Sequence, residues 1–301
     1  MAAHADWSAH PGKRWVSVAR RDGAGWLAQD PAPVGDPAAL AAALLAGAPA
    51  VLGLDVPLGV PRGWAAGRPE PGFVEFLRGR AGDARFFAVA PGLDAVSPAA
   101  PFYPARGVRG MTRAAHAAAL GLDGAAALSR WCDRATAERP AGAPVFWTLG
   151  ANQSGKAAIA CWRDWLAPAL AAGAPYALWP FHGAGLRALL APGQLVLAEV
   201  YPAQALRVLG LRLAGSKRRA ADRRAFAPAL RAAMAGLGVR GAPGLEAGFG
   251  EDAAGEDRLD SLLGLLNLVA VLDGHAWDGA PEDPMVRRWE GWVLGQRAMP
   301  R

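Results

Sequence analysis

Residues Ala50 to Pro61 read AVLGLDVPLGVP, and this stretch decides how the rest of the chain is placed. AVLGL is a continuous apolar run, the pattern of a strand buried on both faces rather than one with a face in water. Asp55 ends the run. Pro57, Gly59 and Pro61 prevent the strand from continuing. A carboxylate is therefore expected at the carboxyl end of a buried strand, in a sheet covered by helices.

Working outward from this strand, Asp36-Pro37 forms an N-cap with proline at the first helical position, opening a helix over Ala38–Ala46 that Pro49 closes. Upstream, Ala5–Ala9, Arg14–Ala19 and Gly25–Ala28 read as three short strands, the last two joined by a turn at Asp22-Gly23. Downstream, Val145–Leu149, Tyr176–Phe181 and Leu195–Tyr201 are strand-like. Helices are expected over Thr112–Leu120, Gly124–Glu138, Ala157–Ala172, Pro202–Leu209, Arg218–Leu237 and Asp257–Leu272. Strands in a meander, then strands alternating with helices, predict a mixed α/β sheet. With no linker and no repeat visible, residues 1–301 are expected to form one domain with a helical insertion at about 62–144.

Hydrophobic residues make up 52% of the chain and charged residues 19%, which excludes a disordered chain. Cys132 and Cys161 are far apart and form no CxxC pair, so neither a disulfide framework nor a zinc ribbon is expected. The histidines show no metal-ligand spacing. Leu262–Leu272 is the longest apolar stretch, is interrupted by Asn267 and is too short to span a bilayer, so a cytoplasmic protein with no membrane partner is expected. The net charge of +6 is local: residues 212–240 hold eight basic side chains against the single acid Asp222. The remainder is close to neutral.

Acids recur where apolar elements end or begin. Asp6 lies in the first strand, Asp55 ends AVLGLD and Glu199 lies near the end of LVLAEVY. Asp257 and Asp260 sit one turn apart at the start of an apolar helix, on one side of it. Carboxylates in apolar strands are costly unless paired or bound to a cation, and a histidine-free oxygen cluster favours Mg²⁺ or Mn²⁺. Such ions would activate a water and steady the leaving oxygen of a phosphodiester, so no histidine base is needed. Each acid also has a structural reading. Asp257 suits a helix N-terminus, Asp55 a turn, and Glu199 an ion pair with Arg207 or Arg212.

DWSAHPGKRWVSVA (Asp6 to Ala19), LDVPLGVP (Leu54 to Pro61), FWTLGANQSGKA (Phe146 to Ala157), EVYPAQAL (Glu199 to Leu206), KRRAADRR (Lys217 to Arg224), EDRLDSLLGLL (Glu256 to Leu266) and EGWVL (Glu290 to Leu294) occur in that order. Together they resemble the family catalogued as domain of unknown function 429, predicted nucleases with an RNase H-like fold. The resemblance covers nearly the whole chain. It implies an RNase H-like mixed sheet flanked by helices, with helical insertions, and a divalent-metal-dependent nuclease. It places the family's acids on Asp6, Asp55, Glu199 and Asp260, with Asp257 as a possible fifth.

Two further features bear on function. Gly150 to Lys156 matches G-x-x-x-x-G-K between a strand-like segment and a helix, the context of a phosphate-binding loop, but Ala157 replaces the Ser or Thr that ligates Mg²⁺. A P-loop hydrolase or kinase is thus one alternative. Another is that Asn152, Gln153 and Lys156 hold a substrate phosphate, and a third is a plain glycine turn. The segment beginning Lys217-Arg218-Arg219 is a candidate footprint for a nucleic-acid backbone or another phosphorylated substrate, or a solvated Arg-rich face. A non-catalytic binding protein of the same fold would be marked by acids all neutralised by arginine.

Overall fold

In the computed structural model, which describes residues 1–149 and 154–300, an eight-stranded mixed sheet organises the chain. Its strands are β1 (Ala2–Asp6), β2 (Trp15–Asp22), β3 (Gly25–Ala28), β4 (Ala32–Pro33), β5 (Ala50–Leu54), β6 (Tyr176–Leu178), β7 (Leu195–Glu199) and β8 (Val239–Gly241). Their order is β6-β7-β5-β1-β2-β3-β8, with β4 beside β2. Strands β1, β2 and β3 form an antiparallel meander, and β5, β7 and β6 extend it in parallel beyond β1. The register sets Ala5 beside Leu54 and Leu54 beside Glu199.

Helices cover both faces. On one lie α1 (Pro37–Leu45), α2 (Arg62–Ala65), α3 (Phe73–Arg78), α4 (Arg113–Ala119), α5 (Ser154–Cys161) and α6 (Ala167–Ala171). A π-helical turn, Trp162–Leu166, joins the last two. On the other lie α7 (Pro202–Val208), α8 (Ala220–Gly236) and α9 (Gly255–Leu272). Strand alternation divides the core accordingly: Leu52, Leu54, Leu195 and Leu197 enter the first side, and Val51, Val196 and Ala198 the second.

Helix α9 is buried from Leu259 through Val271, which explains its all-round apolarity. It crosses β1 where Gly264 meets His4; a Cβ on Gly264 would overlap the imidazole ring. The His4 ring nitrogens lie 3.1 Å from the Ser261 carbonyl and 3.2 Å from that of Val200, and burial holds the ring's pKa down to about 4. This close approach sets the height of α9 over the sheet. No helix among the described residues is long and apolar enough to cross a membrane.

Several expectations shift. The first strand is Ala2–Asp6, not Ala5–Ala9, because small residues and His4 fit the narrow gap beneath α9. VFWTL is not a sheet strand: Val145 and Phe146 lie in a turn, and only Trp147 forms a single bridge, to Tyr103. Its apolarity serves an aromatic cluster in which Phe146 packs on Trp64 and Phe102. Gly124–Glu138 holds two 3₁₀ turns, Ala125–Leu128 and Trp131–Asp133, rather than one helix. Helix α8 starts at Ala220, leaving Lys217 and Arg218 in the loop before it.

Candidate functional site

Asp6 closes β1 and Asp55 follows β5 directly, its N–H still donating to the Ala5 carbonyl at 3.0 Å. Asp6 shares the face of His4, two residues back, and His4 contacts α9. Asp55 shares the face of Gly53, which packs against His4 and Leu268. Both carboxylates therefore lie on the α9 side. Asp260 stands one turn before Gly264 on that helix, so the contact that seats α9 also brings Asp260 to them.

The group is short of positive charge. Asp6 and Asp55 come within hydrogen-bonding reach of each other. Among the described residues, no side chain or backbone N–H donates to Asp6, although it is only 9% exposed. Burial first, and then repulsion from Asp55, Asp260 and Asp257, raise the Asp6 carboxyl well above its ordinary range. Burial and Asp260 push Asp55 up to about 7. Asp260, also buried, rises only to about 6 because Lys217 offsets the cost. The Lys217 ammonium lies 2.7 and 2.5 Å from the two oxygens of Asp260. Asp257, half-buried in the first turn of α9, is raised by its own burial and by Glu256.

Glu199 does not join this group. Its parity on β7 matches Leu195 and Leu197, which sends it to the opposite face. There Arg130 donates to both of its oxygens, at 2.6 and 2.7 Å, and the Leu58 N–H donates at 2.7 Å. The same guanidinium holds Asp133 at 2.8 and 2.9 Å. The pairing expected with Arg207 or Arg212 is thus replaced by one with Arg130. Cys132, Asp133 and Glu199 bring ligand-type atoms together, but the cation among them is Arg130 itself. Glu290, the acid of EGWVL, is likewise buried and bound by Arg62 at 2.8 and 2.5 Å. Nothing in the residues around Arg130 or Arg62 flags either as the partner of Glu199 or Glu290, because these two salt bridges span 69 and 228 residues of chain.

Asp55 and Asp260 open into a cleft of about 560 Å³, with Lys217, Arg218, Arg139 and Arg207 along its walls. Arg207 donates to the Ala203 carbonyl, and Arg139 to the carbonyls of Cys132 and Pro140 and to Gln296. Neither has a carboxylate partner among the described residues. Lys156 lies on α5 between Ser154 and Ala157, which line the cleft while Lys156 does not. Asn152 and Gln153 lie outside the described residues.

The basic segment is largely neutralised, mostly by acids that follow it. Arg218 pairs with Glu256, Arg219 with Asp222, Arg224 with Glu251, Arg231 with Glu246 and Arg240 with Asp22. Arg223, in the same segment, is buried and donates to the carbonyls of Lys217, Gly248 and Gly250. Comparison with protein families, with curated proteins and with solved structures finds no match for this chain.

Proposed function

We propose that the protein is a divalent-metal-dependent phosphodiesterase acting on nucleic acid, built on an RNase H-like sheet. The fold reading draws support from the strand arrangement: an antiparallel meander whose first strand carries Asp6 and is flanked by a parallel strand ending at Asp55. The observation that carries the function is that Asp6 adjoins Asp55, that Asp55 and Asp260 line a cleft, and that the three repel one another with too little counter-charge nearby. The donor set fits Mg²⁺ or Mn²⁺, being all oxygen and free of histidine and thiol.

Asp6 and Asp55 would hold the cation, with Asp257 at the outer edge. A bound cation supplies a lowered pKa for a water and charge for the phosphoryl oxygens. Arg139 and Arg207 offer guanidinium forks to a substrate phosphate, and Arg218 extends this rim. Arg130 keeps the buried Glu199, and Asp133 at the cleft wall, neutralised, so that the surplus negative charge stays on the α9 side. A non-catalytic protein of this fold would have arginine on every acid, and among the described residues Asp6 and Asp55 have none.

The test is hydrolysis of single-stranded DNA, RNA and a chromogenic phosphodiester with and without Mn²⁺. Hydrolysis that requires Mn²⁺ and disappears in Asp55→Asn is expected. Absence of Mn²⁺-dependent cleavage of all three would overturn the proposal.

A further inference from the structure

The geometry points to a one-cation site in which the Lys217 ammonium stands where a second divalent ion would otherwise bind. The inference rests on the reading that the Asp6–Asp55–Asp260 group holds a divalent ion, and adds how many it takes.

Three observations carry it. First, Lys217 contacts both oxygens of Asp260, at 2.7 and 2.5 Å, so the edge by which that carboxylate would chelate a metal faces the ammonium instead. Second, the lysine is held in place from behind. The buried Arg223 donates to the Lys217 carbonyl at 2.6 Å and to the carbonyls of Gly248 and Gly250, and it packs against Gly255 at the start of α9. The loop carrying Lys217 and the helix carrying Asp260 are thus tied by one side chain. Third, the charges match a single ion. Of the acids at the centre, Asp6, Asp55 and Asp260 bring three formal negative charges and Lys217 one positive, which leaves the two that one divalent cation neutralises, the partly exposed Asp257 standing outside this count at the edge. Glu199 would raise the demand, but it is paired with Arg130 on the opposite face. Two ions held about 3.5–4 Å apart would need the ammonium displaced and Asp260 freed as a ligand.

Mn²⁺ binding to the metal-free full chain, followed by the electron paramagnetic resonance of free Mn²⁺, reads the number of ions directly and needs no turnover. The wild type is expected to bind one ion. Lys217→Met, which frees Asp260, is expected to bind two, and Lys217→Arg, which keeps the charge, one. Two ions in the wild type, or one in a folded Lys217→Met, would overturn the inference while leaving the phosphodiesterase reading standing. No binding in the wild type would remove that reading and this one with it. Should Lys217→Met not fold, the wild-type count alone decides.

Discussion

Two groups of acids lie on opposite faces of the same three strand ends and are treated in opposite ways. On one face Glu199 and Asp133 surround Arg130, with Glu290 and Arg62 beside them, and every carboxylate has a guanidinium. On the other, Asp6, Asp55 and Asp260 share, among the described residues, the single cation Lys217, and their proton affinities rise. The first arrangement holds the insertion, through Arg62 and Arg130, onto the strand ends and the carboxyl-terminal segment. The second costs stability and persists beside an open cleft, as expected of a site kept for a ligand. The difference is a matter of counter-charge alone, and that can be broken experimentally.

The largest effect is expected from Arg130→Met. It strands two buried carboxylates and should cost about 3–5 kcal/mol in urea unfolding. A loss below about 1 kcal/mol would mean the pairs are incidental. Gly264→Ala comes next, since the added methyl has no room against His4. It should cost about 1–3 kcal/mol and weaken Mn²⁺ binding, because it lifts Asp260 away from Asp6 while leaving the Arg130 side intact. Unchanged Mn²⁺ affinity in a destabilised variant would show that α9 does not set the site.

Asp55→Asn tests the opposite sign. Removing a repelled charge should stabilise the metal-free protein at pH 8 by about 1 kcal/mol. The pH dependence follows from the raised value of about 7. Between the unfolded carboxylate's pKa near 4 and about 7, the folded state binds more protons than the unfolded one, so this group's contribution falls as pH rises. Metal-free wild type should therefore lose stability over that window, with a shallower loss in Asp55→Asn. A rising wild-type profile would make the two acid groups alike. The smallest effect is expected from Arg224→Ala, which breaks an exposed pair with Glu251 and should change stability by no more than about 0.5 kcal/mol. Nucleic-acid affinity should hold in this variant and drop in Arg207→Ala. The reverse ranking would restore the basic segment as the contact surface.

Much of the fold was legible. AVLGL, LVLAE and the apolar α9 declare burial by composition, and Asp36-Pro37 and Thr112 mark helix starts that the structure bears out through side-chain caps. What misled was apolarity serving a different end, as in VFWTL, whose aromatic residues fill the insertion. The basic segment misled through its boundary. Cut at residue 240 it is strongly positive, but Glu246, Glu251 and Glu256 follow it and fold back onto it.

By itself the sequence determined that acids stand at the ends of buried strands and at the head of a buried helix, because apolar runs and helix-breaking residues are local properties. It also determined the alternation that divides one strand's side chains between two faces. Tertiary structure alone decided which face each acid reached and which cation met it. A strand buried on both sides shows no polar face in its sequence, so Asp55 and Glu199 look equivalent until register and neighbours are set. Arg130 reaches Glu199 across 69 residues, and Lys217 reaches Asp260 across 43. Such charge pairing depends on distances in space, which only the packed sheet and helices supply.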